Sequence, residues 1–183
     1  MTSREVYHKK IKAVVCKYQG IKNDLNNVHD ISIINKTGVK YHREMATQDP
    51  KQNNMRKIGT ANTMKILNDY DILPTHNFKF GGTPNIAEMH PQVFIEKWLT
   101  QGAADGCWYG CSMACAKAAD HFELLTGPYK GSKVVVDGPE YETAAGVGPN
   151  CGITDPQVIL ELNFYCDTYG IDTISWGTMC AFL

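Results

Sequence analysis

The sequence predicts a mainly α fold: a helical domain with long loops and at most one or two short strands. Three observations carry this. Apolar residues recur at helical spacing between recognisable caps, most clearly from "TDP" at 154–156 to Gly170. One β-branched run, Val134 to Val136, reads as strand. Prolines and a Gly-Gly pair break the stretches between helices.

Taken in order, residues 3–17, beginning "SREVYHKKIK", read as a helix with Ser3 as N-cap. Residues 18–50 are rich in Asn, Asp and Gly and read as loops with one or two short helical turns. Residues 50–69 read as one or two helices, with Met64, Ile66 and Leu67 facing a core. "DILPTHNFKFGGTPN", 71–85, is a loop, and residues 90–100 are helical. "SMACAKAADHFELLTG", 112–127, reads as a helix closed by Gly127. "KVVVDGPE" gives a short strand that runs into a turn. Residues 154–168 fit a helix capped by Thr154 or Asp155, with Pro156 in its first turn. "IDTISWGTMCAFL" starts another helix, and the chain stops inside that pattern, so it is expected to be part of something longer.

The 183 residues suffice for one sizeable core. A net charge of −1 argues against a nucleic-acid partner, which usually requires a strongly basic surface. The basic run "HKKIK" reads as a solvated helix face. No apolar stretch approaches the roughly 20 residues that span a bilayer. The N-terminus lacks the apolar core of a signal peptide, so a cytoplasmic protein is expected. Seven cysteines make an odd number with no regular framework. In a reducing compartment, clustered thiols point to metal or catalysis.

Three of those thiols, Cys107, Cys111 and Cys115, fall within "GCWYGCSMACAK". One helix cannot easily bring all three to a compact centre, because eight residues rise about 12 Å. The first must lie on a loop that curls back, which Gly106 and Gly110 favour, with Ser112 capping a helix after Cys111. Such a thiolate nest near a helix N-terminus suits an iron–sulfur cubane. Three buried cysteines packed among Ala114, Ala116 and Ala118 are the bland alternative. Zinc usually shows paired C-x2-C or histidine partners, and His121 stands in the wrong pattern. The radical-SAM spacing C-x3-C-x2-C differs at its last step. Cys151 and Cys166 are the candidates within this chain for a fourth ligand.

Two further stretches carry acidic groups. In "DGPEYETAAGVGPNCG", Asp137 and Glu140 have capping-box spacing, with Pro139 in the first turn, which leaves Glu142 as solvent-facing or as an acid/base. In "NFYCDTYGIDTIS", Gly170 reads as a helix C′ and Asp172 as the next N-cap. The functional alternative is that Asp167 and Asp172 offer acceptors to the N–H groups of a bound heterocycle.

Together these stretches resemble the tungsten-containing aldehyde:ferredoxin oxidoreductase family. The cysteine cluster, "GPEYET", "NCG" and "CDTYGIDTIS" stand in the family's order, and upstream "RKIGTANTM" and "LPTHNF" also look like it. The resemblance covers roughly residues 50–183, and residues 1–50 carry no placeable signal. It implies the middle helical domain of a larger multi-domain enzyme. Cys107, Cys111 and Cys115 match three of four ligands to a 4Fe-4S cluster. Asp167, Gly170, Asp172 and Thr173 match a segment that binds the tungsten (or molybdenum) bis-pterin, and Glu142 matches the glutamate near tungsten. The implied substrate is a small aldehyde or acyl compound, and the implied electron acceptor is ferredoxin or another electron-transfer subunit.

There are departures. The first cysteine spacing is C-x3-C rather than C-x2-C, which looks like a subgroup near the tungsten subunit of benzoyl-CoA reductases. Where some members carry E-x-x-H for a metal between subunits, this chain has "ELNF", Glu161 to Phe164, and no such metal is expected. The fourth cluster ligand, a second pterin segment and the N-terminal pterin domain fall outside the chain by this resemblance. The competing reading is an iron–sulfur electron-transfer module without catalysis of its own.

Overall fold

The computed structural model describes residues 9–10, 15, 36–37, 40–41, 44, 55–97 and 113–183. Lys9 and Lys10 lie in a turn, Lys10 has a φ of 53°, and Val15 is not helical, so the helix expected across 3–17 fails at those positions. Helical backbone at 36–37, 40–41 and 44 agrees with a short helical turn there.

A 3-10 turn, Thr60–Asn62, leads into helix α1, Thr63–Asp69. Met64 on α1 is fully buried, but Ile66, expected in the core, is 50% exposed. The loop that follows is pinned by the Thr75–Phe80 bridge and by His76 N and Asn77 N donating to the carbonyls of Pro149 and Asn150. Helix α2 is Pro91–Lys97.

Next comes the main departure from the sequence reading. Residues 118–123 are not helix but strand β1, Ala118–Glu123, paired antiparallel with β2, Lys133–Asp137. The pairing is irregular between Ala119 and Phe122, and His121 adopts a φ of 58°. That bulge puts the buried residues Ala119 and Phe122 three apart, the spacing of a helix face, so the strand imitates a helical period.

Helix α3 is Tyr141–Val147, followed by a 3-10 turn, Pro149–Cys151. Helix α4, Pro156–Tyr169, starts as expected: Pro156 sits in its first turn, and Asp155 accepts from Gln157 N at 2.9 Å. Gly170, at φ 66°, ends it. Helix α5, Thr173–Phe182, is capped by Asp172.

The core joins all these elements: Met64, Met89, Phe94, Phe122, Leu124, Val136, Val147, Ile159 and Leu160 pack as one cluster. α3 and α5 cross at two glycines, where a Cβ on Gly177 would fall 2.7 Å from Gly146 C. Among the described residues no helix is long and apolar enough to cross a membrane. The mainly helical fold with one two-stranded sheet is the expected class.

Candidate functional site

Cys107 and Cys111 lie outside the described residues; Cys115 is described and half-buried. The helix expected after Cys111 is absent from residues 113–117. Ala114 turns the chain with a φ of 46°, and an extended segment runs on into β1. Two other loops grip this segment. The Cys115 carbonyl abuts Gly59, where a Cβ would sit 2.9 Å from it, and Gly59 holds a φ of 86°. Lys117 O accepts from Gly138 N at 2.5 Å. The Lys117 ammonium, buried, donates to Ala114 O at 3.0 Å and Ala116 O at 2.8 Å, clasping the backbone on both sides of Cys115.

The capping box expected from Asp137 and Glu140 does not form. Asp137 ends β2, and α3 begins at Tyr141 with Glu140 as N-cap, whose side chain makes no cap bond. The cap comes from Thr60, 81 residues away, whose Oγ1 accepts from Tyr141 N at 2.9 Å. The same hydroxyl donates to Glu140 Oε2. No local pattern marks Thr60 for this, since the pairing exists only once the Thr60–Asn62 turn packs on α3. Glu142, in the first turn of α3, is exposed. Burial, and then the Glu142 charge, push the neighbouring Tyr141 phenol up.

At the Gly170 corner, Asp172 accepts from Ser175 N at 2.9 Å, the N-cap role read from the sequence. The Ser175 side chain and amide hold its carboxyl below the usual range. Asp167, one turn before the corner, is pushed up by burial and then by Asp137. Thr173 is hydrogen-bonded, Oγ1 to Oγ1 at 2.8 Å, with Thr143, the residue after Glu142.

Cys151 and Cys166, weighed above as cluster ligands, both lie in packed positions. Cys151 Sγ lies 3.3 Å from both Gly146 O and Gly177 O, inside the α3–α5 crossing. Cys166 is buried on α4. Burial, first among the causes, raises both thiols above the ordinary value. Among the described residues no three His, Cys, Asp or Glu side chains converge as a metal site.

Of the described residues singled out in the sequence, Cys115, Glu142, Asp172 and Thr173 lie along one row of contacts. Cys115 leans on Gly59, and the next residue, Thr60, caps α3. α3 carries Glu142, and Thr143 reaches across to Thr173 beside Asp172.

The model of the aldehyde ferredoxin oxidoreductase family, domains 2 and 3, matches residues 36–183. The chain belongs to this family. A tungsten-containing aldehyde ferredoxin oxidoreductase of Thermococcus kodakarensis is 35% identical over 121 residues, which is 66% of this chain and 18% of the relative. That of Pyrococcus furiosus is 34% identical with the same coverage. The WOR-like subunit of an aliphatic sulfonate oxidoreductase, also from Pyrococcus furiosus, is 39% identical over 85 residues, 46% of this chain and 12% of the relative. The chain thus spans less than a fifth of the length of the aldehyde ferredoxin oxidoreductases it matches. Within the family alignment fall all the motifs singled out above, from "RKIGTANTM" to "CDTYGIDTIS".

Proposed function

We propose that this chain is the middle portion of a cytoplasmic tungsten-pterin, iron–sulfur oxidoreductase. It oxidises a small aldehyde or acyl substrate and passes electrons to ferredoxin or another electron-transfer subunit. The observation that carries this reading is the row of contacts from Cys115 through Thr60 and α3 to Thr173 and Asp172. A cluster ligand, an acid/base and a cofactor-binding corner must be held at fixed mutual distances, and this row is built to hold them.

In this reading Cys107, Cys111 and Cys115 hold three corners of a 4Fe-4S cluster. The clasp of Lys117 and the abutting Gly59 keep Cys115 oriented. Asp167, Gly170, Asp172 and Thr173 form the corner that accepts N–H groups of the pterin. The tungsten–pterin group, when bound, supplies the two-electron chemistry. Glu142 takes up the proton released as the substrate is oxidised. Its side chain is exposed among the described residues and so open to substrate, as a base requires.

Metal analysis of anaerobically purified protein tests the proposal. Tungsten together with iron is the expected result. Iron alone would mean an electron-transfer module, and neither metal would sink both readings. Cys111→Ser should lower the iron content and bleach the visible absorption of the cluster; unchanged iron per chain would remove the ligand assignment.

A further inference from the structure

α3 has only seven residues, so its orientation is set by what touches it rather than by its own rigidity. Ala144 and Val147 anchor it in the core, and three further contacts hold it. Thr60 Oγ1 holds Tyr141 N at its start. Gly146 meets the bare Cα of Gly177 near its end. Between them, Thr143 Oγ1 meets Thr173 Oγ1 at 2.8 Å. The third point differs from the others in kind. It joins the residue that follows Glu142 directly to a member of the Gly170 corner.

Thr143 is buried, and its hydroxyl faces α5 rather than water. A buried hydroxyl must find a partner, and these two hydroxyls satisfy each other across the helix crossing. The hydrogen bond adds to the contact a direction that apolar packing alone lacks. Rotation of α3 about its axis would break it, and the same rotation would swing the Glu142 carboxylate relative to the corner.

We propose that Thr143 is a positioning residue for Glu142, and that the Thr143–Thr173 hydroxyl pair sets the angle between the acid/base carboxylate and the cofactor-binding corner. This rests on the reading of Glu142 given above. A misplacement of about 1 Å at a reacting group costs up to about 100-fold in rate, so loss of the pair is felt in turnover before it is felt in folding.

The test uses the metal-loaded holoenzyme that contains this chain, with Thr143→Val, Thr143→Ser and Glu142→Gln made in parallel. Thr143→Val should keep tungsten and iron at wild-type content. It should lower kcat about 10- to 100-fold, with KM changed by no more than about twofold, and displace the pH profile of kcat. Thr143→Ser, which keeps the hydroxyl, should restore both rate and profile. Amide hydrogen exchange, independent of turnover, should rise about tenfold over Glu142–Ala145 and Thr173–Ser175 in the valine variant and return in the serine variant. Wild-type kcat and pH profile in Thr143→Val, with Glu142→Gln impaired, would overturn this inference and leave the role of Glu142 standing. Equal loss in the valine and serine variants, or loss of metal, would mean a structural requirement only and overturn it as well. Wild-type turnover in Glu142→Gln would overturn the reading beneath it. If Thr143→Val does not fold, Thr143→Ala, with no methyl to crowd the crossing, carries the same comparisons.

Discussion

Glu161 is 6% exposed, yet it sits in a helix whose other buried side chains, Asn163 apart, are apolar. Its carboxylate is held by donors from one loop: Leu125 N at 3.0 Å, Thr126 N at 2.7 Å and Thr126 Oγ1 at 2.5 Å. Burial works against the charge, but these three bonds outweigh it and keep the carboxyl below its usual range. In this chain the glutamate that heads "ELNF" thus staples the end of β1 to α4. Glu161→Gln turns one acceptor oxygen into an amide that faces an N–H donor, and should cost about 1–3 kcal/mol, read as a lower denaturant midpoint. The pH dependence has a definite sign. A carboxyl with a lowered folded value stabilises fully above its unfolded value near about 4.3, and that contribution is lost as pH falls through the folded one. Wild-type stability should therefore drop on acidification below about pH 4.5 more steeply than that of Glu161→Gln. Parallel curves would remove the role given to this charge.

At the scale of elements, the α3–α5 crossing decides where the acidic groups stand. The two glycines in it are not equivalent. A Cβ on Gly177 would lie 2.7 Å from Gly146 C and 2.8 Å from its carbonyl oxygen, so backbone would have to move. A Cβ on Gly146 would meet only Thr173 O, at 4.0 Å. Gly177→Ala should cost about 1–3 kcal/mol by forcing the helices apart. Gly146→Ala should be neutral or gain up to about 1 kcal/mol from helix propensity. Thermal unfolding of the two variants checks the contrast, and equal shifts would mean that the close approach is not what holds the crossing. The β1–β2 pair teaches the opposite lesson about local signals. Its first strand is alanine-rich, and its bulge gives a helix-like spacing, so propensity and period both favoured helix. Pairing with Lys133–Asp137 overrode them, because only a strand can satisfy the backbone groups of β2 on that side.

Across the whole molecule, the proposed function gives the two carboxylates of "GPEYET" separable jobs. Both are exposed, but Glu140 accepts from Thr60 and so ties the Thr60 turn to α3. In the holoenzyme Glu142→Gln should lower kcat by about 100-fold or more with iron and tungsten retained. Glu140→Gln should cost about 1 kcal/mol or less of stability and little turnover. Loss of turnover in Glu140→Gln with normal turnover in Glu142→Gln would mean that the two roles are reversed. What the sequence by itself determined is local or carried by motif order. Asp155 and Asp172 as caps, Gly170 as a terminator and the "VVV" strand were legible because a cap, a left-handed glycine and a β-branched run act within a few residues. Membership of the family was legible because several weak motifs kept one order along the chain. Only the tertiary structure decided that Thr60 rather than Asp137 caps α3, that Gly59 and Lys117 hold the Cys115 segment, and that Thr143 meets Thr173. Apart from the local Lys117 clasp, these contacts depend on groups brought together by packing, in the case of Thr60 and Tyr141 81 residues apart, and a contact between such groups leaves no period, spacing or composition in the chain from which to read it.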